Sequence, residues 1–382
     1  MGITKPDLIV VGAGLFGLTI AERTANVLGK TVQIVEARDH IGGNAFSYLD
    51  ANSKIEVHKY GSHIFHTSNQ VVFEYVSQFM SLNNYEHRVL SSHLDELYEF
   101  PINLNTLNKF FKLKLTESEA DLFLESIRIK SPTRARNFQD KAVELLGQDL
   151  YLAFIRGYTS KQWNEDPINL PTSIISRIPV RSNRDSRYFD DLHQGIPAQG
   201  YQSWFNAMVS NPKIHIELGK DYLKNKVQFG SDVPIVYTGP IDRFFDFKHG
   251  LLGWRTLDFK IENVNQHSFQ STAVINYPDI DIPYTRIHEF KKLHPERVGP
   301  GNLTTIMYEY SRNAERDDEP YYPMNRDTDR EKYIKYREQA LKLGNIIFAG
   351  RLGSYKYLDM DMAIASALVT FQNKILPRFE HE

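Results

Sequence analysis

The sequence predicts an α/β protein that opens on a buried parallel strand, and three features carry that prediction. Asp7-Leu-Ile-Val-Val-Gly12 is a short β-branched run ending on glycine. Gly12-Ala13-Gly14-Leu15-Phe16-Gly17 leads from it into a helix-like stretch that reaches about Leu28. Thr31 to Val35 is a second β-branched run, and it ends on Glu36. Strand, glycine turn, helix, strand and acid in that order make a Rossmann-like dinucleotide cradle. Gly12 permits the tight turn, Gly14 lets backbone approach a pyrophosphate, and Gly17 lets helix and strand pack closely. The helix N-terminus, at Phe16 and its neighbours, offers free N–H groups to phosphate. Glu36, 19 residues after Gly17, is placed for ribose hydroxyls, and an acid there disfavours NADP.

The next segment separates FAD from NAD. Arg38-Asp39-His40-Ile41-Gly42-Gly43-Asn44-Ala45-Phe46-Ser47 follows directly, and its glycine pair lets a second backbone strand close over the pyrophosphate. It resembles the R-x-x-x-G-G…S/T signature of flavoproteins related to amine oxidases and GDP-dissociation inhibitors, which implies FAD. Ile346-Ile-Phe-Ala-Gly350-Arg351 reads as a late strand entering a glycine turn, followed by an apolar helix from about Asp359 to Phe371. That arrangement makes the cofactor domain discontinuous. It also sets Arg351 beside the flavin, where a cation favours the anionic reduced form.

Composition narrows the function classes. The 382 residues carry 45 Lys+Arg against 47 Asp+Glu, a net charge of −2. That balance offers no electrostatic reason to expect nucleic acid or an anionic membrane as partner. The absence of cysteine excludes disulfides, thiolate zinc sites, iron–sulfur clusters and cysteine nucleophiles. The three histidines His58, His63 and His66 lack an acidic partner at ligand spacing, so no metal site is expected. Leu8 to Ile20, the longest apolar stretch, is broken by three glycines and is too short for a membrane helix. Met1 to Asp7 is too short for a secretory leader, and a cytoplasmic protein is the expectation.

Between about Leu104 and Gln162 the apolar spacing is helical, with a capping-box pattern at Thr116-Glu-Ser-Glu119. Ile174 to Gly200 is a long irregular segment with arginines at 177, 181, 184 and 187. These either face solvent or clamp phosphate. From Lys213 to about Leu303 short β-type runs alternate with turns. Ile235 to Tyr237 resembles a returning strand of the cofactor domain, and the others predict an antiparallel sheet. The expected architecture is α/β, a discontinuous Rossmann-like FAD domain (1–85, 196–250, 325–382) with two further lobes. One is a helical bundle with a mobile substrate loop (104–178), and the other an antiparallel sheet (86–103, 179–195, 251–324).

Five longer motifs span nearly the whole chain. They are Val57-His-Lys-Tyr-Gly-Ser-His-Ile-Phe-His-Thr67, Gly157-Tyr-Thr-Ser-Lys-Gln-Trp163, Pro283-Tyr-Thr-Arg-Ile-His-Glu289, Glu319-Pro-Tyr-Tyr-Pro323 and Gly350-Arg-Leu-Gly-Ser-Tyr-Lys-Tyr-Leu-Asp-Met360. In type and order they resemble the bacterial UDP-galactopyranose mutases, with Ser62 standing where Pro or Ala is expected. The resemblance implies interconversion of UDP-galactopyranose and UDP-galactofuranose on reduced FAD, whose N5 attacks the anomeric carbon and displaces UDP. A flavin–sugar iminium then opens and re-closes the ring.

The same resemblance implies roles for single residues. Arg177 and Arg286 match the arginines that neutralise the pyrophosphate, and Tyr188, Tyr322 and Tyr357 the phosphate-contacting tyrosines. Tyr321 and Tyr322 cannot be told apart from sequence. Phe154, Tyr158 and Asn276 fall where the family holds uracil, Thr159 is a further substrate-binding position, and Trp163 matches the tryptophan that approaches the sugar. Gly61 and His63 match the flavin-contact loop that responds to redox state. Arg351, Asp359 and Met360 match the sugar or flavin edge, with Arg38, Gly43 and Asn44 completing the cofactor contacts. Asp359 reads equally well as a helix N-cap. A homodimer is likewise implied. Two other readings share the terminal motifs: an amine-oxidase-like flavin oxidase, and a flavin-free scaffold like the GDP-dissociation inhibitors.

Overall fold

The structure, a computed structural model, describes residues 5–129, 135–177, 180–226, 232–297 and 301–380, without the side chains of residues 173, 176 and 177. Its first layer is a five-stranded parallel sheet in the order Ile346–Phe348, Ile235–Tyr237, Leu8–Val11, Val32–Val35, Ile214–Glu217. Both chain ends and the middle feed it, as the discontinuous cradle requires. Leu8, Val10 and Ile34 are wholly buried, which is why these strands read as unbroken apolar runs rather than alternating ones. Helix Leu15–Val27 packs on the sheet and against the late apolar helix Met360–Thr370.

The second sheet has seven strands in the order Tyr322–Pro323, Trp254–Val264, Thr304–Asn313, Arg286–Glu289, Val274–Asn276, Val89–His93, Glu96–Phe100. It departs from the expected antiparallel sheet at one pairing: Val274–Asn276 runs parallel to Val89–His93. The chain between those strands passes through the helical lobe and the parallel sheet, and only a long connection of that kind can return a strand in parallel. The sheet's backbone is the long pair Trp254–Val264 and Thr304–Asn313, antiparallel from Arg255 opposite Asn313 to Val264 opposite Thr304.

Helices Leu104–Phe111, Glu117–Ile127 and Phe138–Leu146 form the third part. Thr116 closes the capping box with Glu119, as the spacing predicts. A π-helical turn, Tyr151–Arg156, continues into helix Gly157–Trp163, which ends with Asn164 in the left-handed region at φ 48°. Among the described residues no helix is long and apolar enough to cross a membrane.

Candidate active site

The glycine turn forms a cradle that side chains would fill. Gly12 has φ +102°, and a Cβ on it would lie 2.1 Å from Thr238 Oγ1. A Cβ on Gly17 would lie 2.0 Å from the Gly12 carbonyl, so helix and strand approach as closely as the motif implies. Gly43, at φ +59°, brings the second segment onto the first: its Cβ would meet Gly14 Cα at 3.0 Å. Glu36 is buried and already employed, accepting from the Ala13 N–H at 2.6 Å and the Arg38 N–H at 2.9 Å. It therefore fixes the turn while also lining the cavity along the cradle. Arg38 donates to Asn44 Oδ1 at 2.9 Å and to Glu319, with its guanidinium 4.4 Å from the Tyr60 ring centre.

A cavity of about 430 Å³ runs along this cradle, lined by Gly12, Gly14, Phe16, Gly17, Glu36, Arg38 and Gly43, and by Tyr222, Thr238 and Gly350 further along. Its volume and mixed lining suit a bound dinucleotide. A second cavity of about 440 Å³ opens over the seven-stranded sheet, walled also by helix Gly157–Trp163 and the segment Arg351–Met360. Both are lined by Asn44, His63, Arg351, Asp359 and Met360, so the cavities meet at these five residues.

The junction is held from several sides. His63 Nδ1 lies 2.9 Å from the Gly61 carbonyl, so that nitrogen carries the proton and Nε2 is left as an acceptor. Burial and the nearby Arg351 charge pull His63 down to about 4, keeping it neutral at pH 7. The His63 N–H in turn donates to His58 Nδ1 at 3.0 Å. Arg351 donates to the Leu358 carbonyl at 2.6 Å and to the Tyr321 carbonyl at 3.4 Å. Asp359 does occupy the N-cap position of helix Met360–Thr370, but its side chain makes no cap bond. It accepts from the Tyr357 hydroxyl at 2.6 Å instead.

The second cavity presents polar atoms without partners. Arg286 Nε, Asn276 Oδ1, Tyr158 Oη and Gln162 Oε1 are buried, unpaired and part of its wall. Leaving four such groups empty is costly, so their convergence marks a site for a polar ligand. Arg286 sits 5.6 Å from the Tyr158 ring centre and 4.0 Å from Glu309. Burial works against its charge, but Tyr158 and Glu309 more than compensate, and the guanidinium stays protonated. Glu309 is buried too; the charge of Arg286 and the bond from His288 overcome burial and hold it near 2. His288 bridges outward, with Nε2 3.1 Å from Glu309 and Nδ1 2.8 Å from Ser62 Oγ. The serine that departs from the family pattern thus ties the Gly61–His63 loop to the arginine's counter-ion.

Trp163, Tyr188, Asn276, Tyr322, Tyr357 and Gly61 also line this cavity. Tyr321 and Tyr322 both line this cavity; Tyr322 lies 5.9 Å from Tyr357, and Tyr321 is the more buried of the two, packed with Tyr60 and Phe259. Two expected residues lie elsewhere. Phe154 is one turn before Tyr158 and is buried against Tyr98 and Phe110, behind the cavity wall. Thr159 is buried next to Tyr158 and is not part of the lining. The Arg177 side chain lies outside the described residues, as does part of the expected substrate loop. Of the neighbouring arginines, Arg181 pairs with Asp190 and Arg187 with Asp185, both within the loop, whereas Arg184 donates to Asn105 Oδ1 on helix Leu104–Phe111. Glu309, His288 and Ser62 were not singled out as a network from the sequence; Ser62 and His288 fall inside recognised motifs, whereas Glu309 lies between two of them with no local signal.

Fold and site together define a Rossmann-type α/β protein in which a dinucleotide cradle opens onto a separate polar cleft. Residues 10–79 match the NAD(P)-binding Rossmann-like domain, and residues 153–357 match the UDP-galactopyranose mutase family. A probable UDP-galactopyranose mutase of Klebsiella pneumoniae is 40% identical over 96% of this chain and 94% of its own. The dTDP-fucopyranose mutase of Escherichia coli is 36% identical over 94% of this chain and 96% of its own. The crystal structure of a reduced UDP-galactopyranose mutase superposes with a TM-score of 0.71 at 17% identity, covering 98% of this chain and 95% of that one, a likeness of fold. The chain belongs to the UDP-galactopyranose mutase family.

Proposed function

We propose that the protein interconverts UDP-galactopyranose and UDP-galactofuranose, and that it does so with reduced FAD in the glycine cradle. The observation that carries this reading is the cleft itself, where Arg286, Tyr158, Asn276 and Gln162 converge unpaired beside a junction shared with the cradle. When bound, reduced FAD supplies N5 as the nucleophile toward the anomeric carbon.

The chain's own residues do the rest. Arg286 binds the diphosphate by charge-assisted bonds, with Arg177 as its expected counterpart. Tyr158, pushed up by burial, remains a neutral phenol that donates to the phosphates, whereas Tyr357, also kept neutral by burial, spends its one O–H on Asp359 and serves the site by fixing that carboxylate. Tyr188 and Tyr322 line the same wall and serve as further phosphate donors. Asn276 Oδ1 accepts from the pyrimidine N3–H, and Trp163 covers the sugar. Neutral His63 positions the cofactor edge through its free Nε2, while Arg351, Asp359 and Met360 frame the place where sugar and cofactor meet. The three-part division and a cytoplasmic location, read from the sequence pattern, and a homodimer, read from the family resemblance, belong to the same proposal.

The Escherichia coli relative supports a second substrate, a dTDP-sugar, because thymine carries the same N3–H that Asn276 would read. Anaerobic incubation of the cofactor-loaded protein with UDP-galactofuranose and, separately, dTDP-fucofuranose distinguishes the two. Chromatographic conversion of the UDP-sugar alone supports the proposal. Conversion of the dTDP-sugar alone replaces it with the second reading.

A further inference from the structure

Lys161 lies on helix Gly157–Trp163, three residues after Tyr158 and two before Trp163, yet lines neither cavity. Its ammonium donates to four backbone carbonyls of one loop: Tyr277 at 2.5 Å, Asp279 at 2.8 Å, Ile282 at 2.8 Å and Tyr284 at 3.1 Å. That loop joins Val274–Asn276 to Arg286–Glu289, so it is the turn of the hairpin that bears Asn276 and Arg286. Four carbonyl oxygens converging on one point repel each other unless a cation sits among them, and an ammonium brings three donors and the charge. Contact is close along the whole edge, since a Cβ on Gly157 would lie 2.2 Å from the Pro278 carbonyl.

The helix is held at its far end as well. Fully buried Arg255 donates to the Gln162 carbonyl at 2.8 Å and the Lys161 carbonyl at 3.4 Å, and Ser311 Oγ adds a bond to Gln162 at 2.8 Å. A cation on the last carbonyls of a helix is where its dipole favours one.

We propose that Lys161 is a positioning residue for the nucleotide cleft, locking the helix that bears Tyr158 and Trp163 to the hairpin that bears Asn276 and Arg286. The inference rests on the reading that this cleft takes a uridine nucleotide. A ligand that touches both walls then stabilises the closed clamp, and the clamp prepays part of the cost of ordering them.

The groups that face the ammonium are few. Asp279 lies on the clamped loop, paired with His93 of the neighbouring strand at 2.5 Å. Tyr277 and Tyr284 contribute rings from the same loop, 4.8 Å apart, and Arg255 faces the Lys161 carbonyl rather than its ammonium. Burial pulls Lys161 down to about 8, with the charge of Asp279 resisting. The charged clamp is therefore complete below that pH and is lost as pH rises through it, because a neutral amine offers two donors and a lone pair to four carbonyls.

The test is calorimetric titration of UDP into the cofactor-loaded protein between about pH 7 and 8.5, with Lys161→Met as the control for any ionisation of the uracil ring itself. In the native protein the Kd should rise a few-fold as pH passes about 8, bounded by the roughly tenfold that loss of the whole clamp costs. Lys161→Met should bind about tenfold more weakly at pH 7, with a flat profile across the range. Asp279→Asn, which withdraws the supporting charge, should move the alkaline loss to lower pH. Native affinity in Lys161→Met, or an unchanged alkaline fall in it, overturns the inference, as does an unshifted midpoint in Asp279→Asn. If Lys161→Met does not fold, Asp279→Asn decides alone. A native protein that binds UDP with no alkaline fall also overturns it, whereas one that binds no UDP refutes the functional reading beneath it.

Discussion

Replacing Arg286 with alanine removes the cation that the cleft sets between Tyr158 and Glu309, and its effects divide into two that can be measured separately. The first is on turnover. A hydrogen bond to a charged group contributes about 1.5–3 kcal/mol, so two N–H groups on a diphosphate are worth about 3–6 kcal/mol. That corresponds to a loss of about 10²–10⁴ in kcat/KM. The second is on stability. Glu309, 4.0 Å from Arg286, keeps Thr285 and His288 but loses its cation, and stranding a buried charge costs about 3–5 kcal/mol. Adding Glu309→Gln to Arg286→Ala removes the stranded charge, so the double variant should regain much of the lost melting temperature while remaining inactive. Steady-state assays under reductant read the first and thermal melts the second, while flavin absorbance checks that the cofactor stays bound. A single variant with kcat/KM within tenfold of native, or a double variant that recovers turnover, would refute this assignment of Arg286.

Other outcomes follow from the same geometry. Gly43→Ala forces a side chain into the left-handed region, against Gly14 Cα at 3.0 Å, and should purify with most of its flavin missing by absorbance. Ser62→Ala leaves His288 Nδ1 without its partner and should lower stability by about 1–3 kcal/mol in urea unfolding, with flavin retained. Burial lowers His58, His63 and His87 to about 3, 4 and 3. Between about pH 6.5 and 4 only the unfolded chain protonates these rings, so each should remove about 1.4 kcal/mol of stability per pH unit as pH falls. A flat urea midpoint from pH 7 to 5 would contradict that account.

The cofactor cradle was legible because backbone geometry demands its residues: a turn at φ +102°, and a second segment so close that a Cβ on Gly43 would lie 3.0 Å from Gly14 Cα, favour glycine, so the pattern survives in sequence. The second cleft was legible mainly through the family resemblance, since arginines and tyrosines scattered over the chain carry no periodic signal. What remained hidden depends on contacts across the fold. Ser62 and His288 are 226 positions apart, and nothing local announces that they bond. Lys161 sits in a recognised motif, yet its four acceptors are main-chain carbonyls, which any residues at 277–284 would supply. Phe154 shares a face with Tyr158, but depth along a helix is set by tertiary packing, not spacing. The loop arginines were ambiguous for a simpler reason: Asp185 and Asp190 stand beside them, and only the fold decides between a local acid and a distant phosphate.

The most direct test of the central claim is an anaerobic assay of purified protein with UDP-galactofuranose, run with and without dithionite. The account predicts that UDP-galactopyranose forms only in the reduced sample, while the oxidised protein binds UDP-galactose without converting it. Equal conversion in air without reductant would contradict the role given to reduced flavin, and no conversion by a yellow protein that reduces normally would contradict the mutase reading itself.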